Sequence, residues 1–179
     1  MNYLKWKKLF DDDIQLIPVD PPGRGKRISQ KPSVSLTDAV TDIFGQVAEI
    51  LDNTEEPYAL YGHSMGCILI YELLCRLREK QYRLPRHVFL SGRNPPQYPI
   101  PYYVSHLEDK EFILEILKYG GTPDGFFDNQ ELARLFLPIL RADYKMVEEY
   151  TYVPQAKLPV DITFFYSHHD KGISMEWVS

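Results

Sequence analysis

The sequence predicts an α/β protein in which a mostly parallel sheet is flanked by helices. Three short apolar stretches have the length and content of buried strands, at 58–61, 87–91 and 161–167. Longer stretches with helical periodicity separate them, and strands that alternate with helices form a parallel sheet. The chain has 179 residues, of which 44% are hydrophobic and 25% are charged. That length and composition are typical of a single globular domain, which we place at residues 1–179.

The first part of the chain contains a helix fragment, a strand and one clear helix. Residues 3–9 are predicted to be helical, and residues 14–19 form a predicted strand. Residues 20–27 are then a loop. An amphipathic helix begins at Ser35 or Thr37, because the apolar residues that follow recur at helical spacing: Leu36, Val40, Ile43, Phe44, Val47, Ile50 and Leu51.

The segment Gly62-His63-Ser64-Met65-Gly66 has the G-x-S-x-G pattern of a nucleophile elbow. An apolar strand precedes the segment and an apolar helix follows it, which is the context that this motif requires. On such a sharp turn the serine backbone is strained, and small residues two positions to either side let the strand and the helix approach. The pattern predicts that the Ser64 hydroxyl is an exposed nucleophile. An ordinary strand-to-helix turn flanked by glycines is the alternative.

The residue after this serine carries a second candidate function. Met65 opens the predicted helix, so its backbone N–H points out of the helix N-terminus. An N–H group in that place stabilises the negative oxygen that forms when a nucleophile attacks a carbonyl group. We therefore predict that Met65 contributes to an oxyanion hole.

Residues 96–150 form a predicted helical insertion between two strands. A stretch rich in proline and tyrosine opens it, and two or three helices are predicted within it, at about 108–118, 128–137 and 138–150. Asp128, followed three residues later by Glu131, resembles an N-terminal capping box. Such an insertion usually covers the active site as a lid. Helices that only pack on the sheet are the alternative.

Charge, cysteines and hydropathy argue against several classes of protein. The formal net charge of −5 argues against nucleic-acid binding. No apolar run approaches the ~20 residues of a membrane span. Cys67 and Cys75 lie on one predicted helix, roughly 12 Å apart, which is too far for a disulfide. The cysteines are therefore predicted to be reduced, and the protein to be cytoplasmic.

A serine nucleophile needs a histidine to take its proton and a carboxylate to orient that histidine. Asp170 follows a predicted strand and is the preferred acid, whereas Asp143, inside a predicted helix, is its competitor. In hydrolases that use the elbow the histidine follows the acid in the chain, and no histidine follows Asp170. All five histidines come earlier: His63, His87, His106, His168 and His169. None fits that order, so the sequence assigns no base.

Several segments, taken in order, resemble those of the type II (editing) thioesterases of nonribosomal peptide and polyketide synthesis. Residues 22–27 are similar to the P-G-R-E-x-R stretch of that family, and residues 61–66 to its F-G-H-S-M-G elbow. Residues 90–96 look like its S-G-R-x-x-P segment, residues 106–123 like its lid, and residues 137–144 like its L-P-x-L-R-A-D-[FY] segment. Many serine hydrolases share the elbow, but the ordered set is much more specific.

The resemblance implies an α/β-hydrolase fold. It also implies hydrolysis of acyl or aminoacyl thioesters on the phosphopantetheine arm of carrier proteins, which edits stalled synthases. By position, Ser64 is the nucleophile, Asp170 the orienting acid and Met65 an oxyanion donor. No cofactor or metal is implied, because the substrate arrives on the phosphopantetheine of a partner protein. The expected partners are acyl or peptidyl carrier protein domains, with no nucleic acid and no membrane, and a monomer is favoured.

Departures from the family pattern leave two other interpretations open. Gly25 stands where the family has Glu, and Ser167 stands where Gly is common. The family's first strand, with its Ala-Gly-Gly loop, and its histidine-containing G-G-H-F-like segment have no counterpart, so we expect a chain cut at both ends. In one interpretation the chain is then an inactive fragment that at most binds a carrier protein. In the other it is a different serine esterase or an acyltransferase on the same scaffold.

Overall fold

Three parallel strands form the sheet in the computed structural model, which describes residues 3–98, 100, 102–118, 122, 125–167, 170, 173–174 and 176. The strands are β1 (Ala59–His63), β2 (His87–Ser91) and β3 (Asp161–Phe165), in the order β1-β2-β3. The register pairs His63 with Ser91 and Ser91 with Phe165. The carboxyl ends of all three strands therefore meet at one edge, and the predicted α/β class is confirmed.

Two helices bracket β1 in the chain. Helix α1 runs over Leu36–Asp52, and α2 runs over Met65–Glu79. Ser35 caps α1, because its Oγ accepts a hydrogen bond from the backbone N–H of Asp38 at 3.1 Å. Of the two predicted starting points for this helix, Ser35 is therefore correct.

The chain between β2 and β3 contains α3 (Asp109–Leu117) and α4 (Gln130–Glu148). Of the two or three helices predicted, the number two is therefore correct among the described residues, and the division between 128–137 and 138–150 is wrong, since α4 continues through Pro138. A proline inside a helix removes one hydrogen bond. Burial of Leu137 and Ile139 on either side of Pro138 offsets that loss, so the amphipathic pattern prevails over the local break.

The predicted cap of this helix also lies one residue too early. Asp128 ends a short 3₁₀ turn, and the cap is Asn129. The Asn129 Oδ1 accepts hydrogen bonds from the backbone N–H groups of Glu131 at 3.0 Å and Leu132 at 3.2 Å. Both residue types cap well, so the position of the preceding turn decides between them.

Buried apolar residues form a first cluster beneath the helices and a second between α3 and α4, besides a small one between α2 and the sheet made by Ile70, Leu74 and Val88. Helices α1 and α2 build the first cluster, and Met146 and Val147 near the end of α4 join it. The second cluster centres on Phe112, Ile116 and Leu137. Helix α4 thus belongs to both clusters and ties the chain between β2 and β3 to the main core.

The strand predicted at residues 14–19 is absent, and that prediction is wrong. These residues are irregular, and Ile14 and Ile17 are exposed. A strand persists only where a neighbouring strand pairs with its backbone, and none of the three described strands pairs with residues 14–19. The helix predicted at 3–9 is a 3₁₀ helix over Tyr3–Lys8, not an α-helix.

Cys67 is buried and Cys75 is partly buried, and both are free thiols, as predicted. In the part of the chain that the structure describes, no helix has the length and apolar character to cross a bilayer.

Candidate active site

Ser64 occupies the sharp turn that joins β1 to α2. Its backbone has φ 53° and ψ −118°, a conformation that is strained for any residue with a side chain. The backbone N–H of Ser64 donates to the carbonyl oxygen of Ser91 at 2.9 Å, which fastens the turn to the end of β2. Ser64 itself is exposed. The turn therefore presents its hydroxyl to incoming groups, as a nucleophile requires.

The two glycines of the motif have different roles. A Cβ atom at Gly62 would lie 2.6 Å from the Gly66 carbonyl oxygen and 2.7 Å from Cδ1 of Ile70, so only glycine fits there. A Cβ atom at Gly66 would meet no atom within 4 Å. The prediction that both glycines must lack bulk is therefore correct at Gly62 and wrong at Gly66. The contact is one-sided because Gly66 presents its backbone to the strand.

Met65 is the first residue of α2, as the sequence predicts. Backbone N–H groups in the first turn of a helix have no partner within that helix, so they are available to an anion at this end. The Met65 side chain packs against the main apolar cluster, which anchors the helix start. This placement is compatible with an oxyanion donor next to Ser64.

Ser91 joins the turn to its surroundings through both its backbone and its side chain. Its carbonyl oxygen accepts from Ser64, and its Oγ lies 2.9 Å from the Tyr61 hydroxyl and 2.9 Å from Nδ1 of His63. Ser91 is buried. One serine of β2 thus contacts two residues of β1 and the turn that follows it.

His63 lies beside Ser64 with its ring directed at Ser91. Burial lowers the pKa of His63 from its ordinary value of 6.5, and the negative charge of Asp170 opposes this by raising it. Asp170 follows β3, whose carboxyl end lies at the same edge of the sheet as that of β1, so the acid predicted from the sequence lies at the edge that carries the Ser64 turn. The structure thus brings Ser64, Met65 and Asp170 to the same edge of the sheet.

Asp170 lies in the loop that follows β3 and is partly buried. Its backbone N–H donates to the Ser167 carbonyl at 3.0 Å, and its own carbonyl accepts from the Ile173 N–H at 3.4 Å. These bonds link Asp170 to the residues three positions before and after it in the chain.

Asp143, the competing acid, is engaged elsewhere. It lies within α4 and forms an ion pair with Arg24. This contact supports a structural role for Asp143 and leaves Asp170 as the candidate acid.

The remaining histidines do not provide a base among the described residues. His87 opens β2, at the opposite end of the strand from the Ser64 turn, and its Nε2 lies 2.8 Å from Oγ1 of Thr163. His106 is exposed in the turn before α3. His168 and His169 lie outside the described residues. Within the described part of the chain, no histidine is hydrogen-bonded to the Ser64 hydroxyl.

Two polar residues near the site lie in the segment 90–96 that resembles the family, but the sequence analysis assigned them no role. Burial lowers the pKa of the Arg93 guanidinium group. Among the described residues, Nε of Arg93 has no hydrogen-bond acceptor. The side chain of Asn94 is buried, and its Oδ1 accepts from the backbone N–H of Ser174 at 2.9 Å. Polar residues directly after a predicted strand were the available signal for both of them.

Comparison with known proteins agrees with the family resemblance of the sequence. Residues 1–179 match the family described as Thioesterase domain. The gramicidin S biosynthesis protein GrsT of Aneurinibacillus migulanus is 30% identical over 175 residues, which cover 97% of this chain and 67% of that protein. The chain spans about two thirds of the length of the curated relatives it matches, 66% of one and 67% of another.

Solved structures show the same likeness. ClbQ, from the colibactin NRPS/PKS pathway, superposes with a TM-score of 0.91 at 34% identity, covering 98% of this chain and 74% of that chain. YbtT, a type II thioesterase from the yersiniabactin NRPS/PKS pathway, superposes with a TM-score of 0.73 at 30% identity, covering 88% of this chain and 64% of that one.

Proposed function

Because the chain belongs to the Thioesterase domain family, whose fold is that of the α/β-hydrolases, we propose that the protein hydrolyses acyl or aminoacyl thioesters borne by carrier proteins. The observation that carries this proposal is the strained, exposed Ser64 at the N-terminus of α2. Relatives of similar fold come from NRPS/PKS pathways, and one is described as a type II thioesterase. We therefore assign the protein the editing role, which removes acyl groups from stalled synthases.

The proposed reaction has two steps. The Ser64 Oγ attacks the thioester carbonyl carbon as a general base takes its proton, and the C–S bond breaks to release the pantetheine thiol. Water then attacks the resulting acyl-serine ester, which yields the free acid and regenerates Ser64. In both steps a negative oxygen forms at the carbonyl, where the Met65 N–H is the proposed donor.

Asp170 is the proposed acid that orients the base. Its place after β3, at the sheet edge where Ser64 lies, and the effect of its charge on His63 support this role. Serine chemistry of this kind needs no cofactor, so we propose none. The phosphopantetheine belongs to the carrier protein that brings the substrate.

We infer that residues 96–150 act as a lid within a single domain of residues 1–179. Their position between β2 and β3, on the carboxyl side of β2, supports this. The aromatic and aliphatic residues Phe112, Ile116 and Leu137 pack on one another. These side chains are therefore core residues of the lid, not direct ligands of the acyl group.

The proposed partners are acyl or peptidyl carrier protein domains, and we propose that the protein acts as a monomer. Free Cys67 and Cys75 are compatible with a reducing compartment, and we propose the cytoplasm.

The test follows the acyl group on a carrier protein. A carrier protein is loaded with hexanoyl-phosphopantetheine, and its intact mass is measured over time in the presence of purified protein or of the Ser64→Ala variant. We expect loss of the acyl mass with the wild-type protein, and a rate lower on the order of 10⁴-fold or more with Ser64→Ala. A fluorophosphonate should add to Ser64 in the wild type alone.

Two further outcomes discriminate the alternatives. If a matched hexanoyl oxygen ester is hydrolysed as fast as the carrier-bound thioester, the protein is a general esterase and the proposal is wrong. If a folded protein neither labels with fluorophosphonate nor releases the acyl group, while it still binds the carrier protein, the chain is a binding module and not an enzyme.

A further inference from the structure

We propose that Asn94 is a positioning residue, which holds the loop that carries Asp170 against the end of β2. The inference rests on the proposed function, in which Asp170 is the acid of the catalytic site. Asn94 would not touch the substrate. It acts by fixing the place from which the Asp170 carboxylate can reach the base.

The geometry of one hydrogen bond carries the proposal. Oδ1 of Asn94 accepts from the backbone N–H of Ser174 at 2.9 Å, across a sequence separation of 80 residues. Asn94 is 9% exposed, so this bond is shielded from competing water. A bond between such distant parts of the chain fixes where the loop lies. The bonds from Asp170 to Ser167 and from Ile173 to Asp170 connect near neighbours, and they fix only its local shape.

The segment Ser91–Asn94 reaches both halves of the proposed site. At its start, the Ser91 carbonyl accepts from the Ser64 N–H at 2.9 Å. In its middle, the Gly92 N–H donates to the Phe165 carbonyl at 3.4 Å, at the end of β3. At its end, Asn94 receives the Ser174 N–H. Four consecutive residues, beginning with the last residue of β2, therefore set the nucleophile turn and the acid loop relative to each other.

Gly92 shows how closely this segment follows the site. It has φ 69°, and a Cβ atom there would lie 2.4 Å from Cε1 of His63. Glycine alone lets the segment turn next to that ring. The turn leads the chain toward Arg93 and Asn94, and the Asn94 side chain bonds to Ser174 beyond β3.

Hydrogen exchange at single backbone amides, followed by NMR, tests the anchoring without any need for activity. In Asn94→Ala we expect exchange at Ser174 to rise about fivefold, the effect of losing one hydrogen bond, while exchange at Ser64 stays within twofold. Asn94→Asp keeps an oxygen acceptor and should keep the slow exchange at Ser174. Asn129→Ala is the matched control, because it also removes an asparagine Oδ1 that accepts backbone N–H groups. It should leave Ser174 unchanged.

A double-mutant cycle tests whether the anchoring serves Asp170. We expect Asn94→Ala to lower kcat by about tenfold to a hundredfold in the wild-type background, with KM changed less, because the acid is misplaced. In the Asp170→Asn background the same substitution should change kcat by less than about twofold, because its effect passes through Asp170. If Asn94→Ala does not fold, Ser174→Pro removes the N–H donor instead. It should reproduce the loss of kcat in the wild-type background and the small change of kcat in the Asp170→Asn background.

Several results would overturn the inference. Unchanged exchange at Ser174 in Asn94→Ala would show that Asn94 does not anchor the loop. An equal loss of kcat in the Asp170→Asn background would show that Asn94 acts independently of Asp170. A fully active Asp170→Asn protein, with Ser64→Ala inactive, would also refute it while leaving the thioesterase function standing. An active Ser64→Ala protein would instead refute the proposed function itself.

Discussion

Arg24 and Asp143 form an ion pair that joins the loop after residues 21–22 to helix α4. Both side chains are largely buried, at 21% and 17% exposure. A second pair on the same loop, Arg27 with Asp42, fastens it to α1, with Nη2 and Oδ1 2.6 Å apart. The loop thus bridges a helix of the main core and the helix that belongs to the proposed lid.

This ion pair joins two distant segments of the sequence that both resemble the thioesterase family. Arg24 belongs to the segment similar to P-G-R-E-x-R, and Asp143 belongs to the segment similar to L-P-x-L-R-A-D-[FY]. Burial lowers the pKa of Arg24, and the charge of nearby Asp20 opposes that shift. The cost of burying this charge is why a carboxylate is needed beside it.

The first prediction concerns the stability that this pair contributes. Asp143→Asn should lower the free energy of unfolding by about 2 kcal/mol, between the values typical of exposed and of fully buried pairs. Urea unfolding measures this. Lys145→Met is the matched control on α4, because Lys145 and Glu149 are 57% and 61% exposed. Its effect should stay within about 0.5 kcal/mol. Equal effects of the two substitutions on stability would contradict the prediction. Loss of fluorophosphonate labelling in folded Asp143→Asn would contradict the structural role assigned to Asp143.

The second prediction separates the two glycines of the elbow. Gly62→Ala should destabilise the protein by about 2–3 kcal/mol and abolish labelling of Ser64, because its Cβ would press on the Gly66 carbonyl. Gly66→Ala meets open space, and alanine favours a helix over glycine. It should therefore be neutral, or stabilise by up to about 1 kcal/mol. Thermal unfolding of both variants gives the comparison, and a destabilised Gly66→Ala protein would show that the site beside Gly66 is filled.

The third prediction concerns the strain at Ser64. Ser64→Gly and Ser64→Ala should both abolish acyl release, since both lack the hydroxyl. Glycine tolerates φ 53° and ψ −118°, whereas alanine keeps the strain. The free energy of unfolding of Ser64→Gly should therefore be about 1 kcal/mol higher than that of Ser64→Ala. This figure allows for the greater freedom of glycine in the unfolded chain. Equal stability of the two variants would argue against a strained turn.

The fourth prediction uses the pKa of His63 to locate Asp170. The side chain should titrate below its ordinary pKa of 6.5, because burial disfavours the charged ring. Asp170→Asn removes the charge that opposes this shift, so the pKa of His63 should fall further. NMR titration of the His63 ring in both proteins measures the change. A pKa that rises or stays constant in Asp170→Asn would place the carboxylate away from the turn.

The same depressed pKa has a consequence for stability. As the pH falls below 6.5, the unfolded chain binds a proton at His63 before the folded protein does, so stability is lost until the folded pKa is reached. His63→Gln should therefore lose less stability than the wild type between pH 7 and the lower folded pKa. Urea unfolding across that range tests this, and parallel losses in the two proteins would contradict it.

Much of the fold could be predicted from short-range patterns. Helical periodicity gave α1, and the elbow motif gave the junction of β1 and α2, because both depend on residues within a few positions of each other. The strand predicted at 14–19 failed, since a strand depends on a neighbour that no local pattern reveals. Separate helices on either side of Pro138 failed for a related reason: the burial of α4 against two clusters outweighs one lost hydrogen bond.

By itself, the sequence determined the alternation of strands and helices, the motif around Ser64 and the family resemblance. All three depend on residues that are close together in the chain. Only the tertiary structure decided that Asp143 pairs with Arg24, that Gly62 and not Gly66 must lack a side chain, and that Asn94 holds the Asp170 loop. Those contacts join residues that the chain separates and folding brings together. Their energies come from burial and geometry, which no local pattern of residue types encodes.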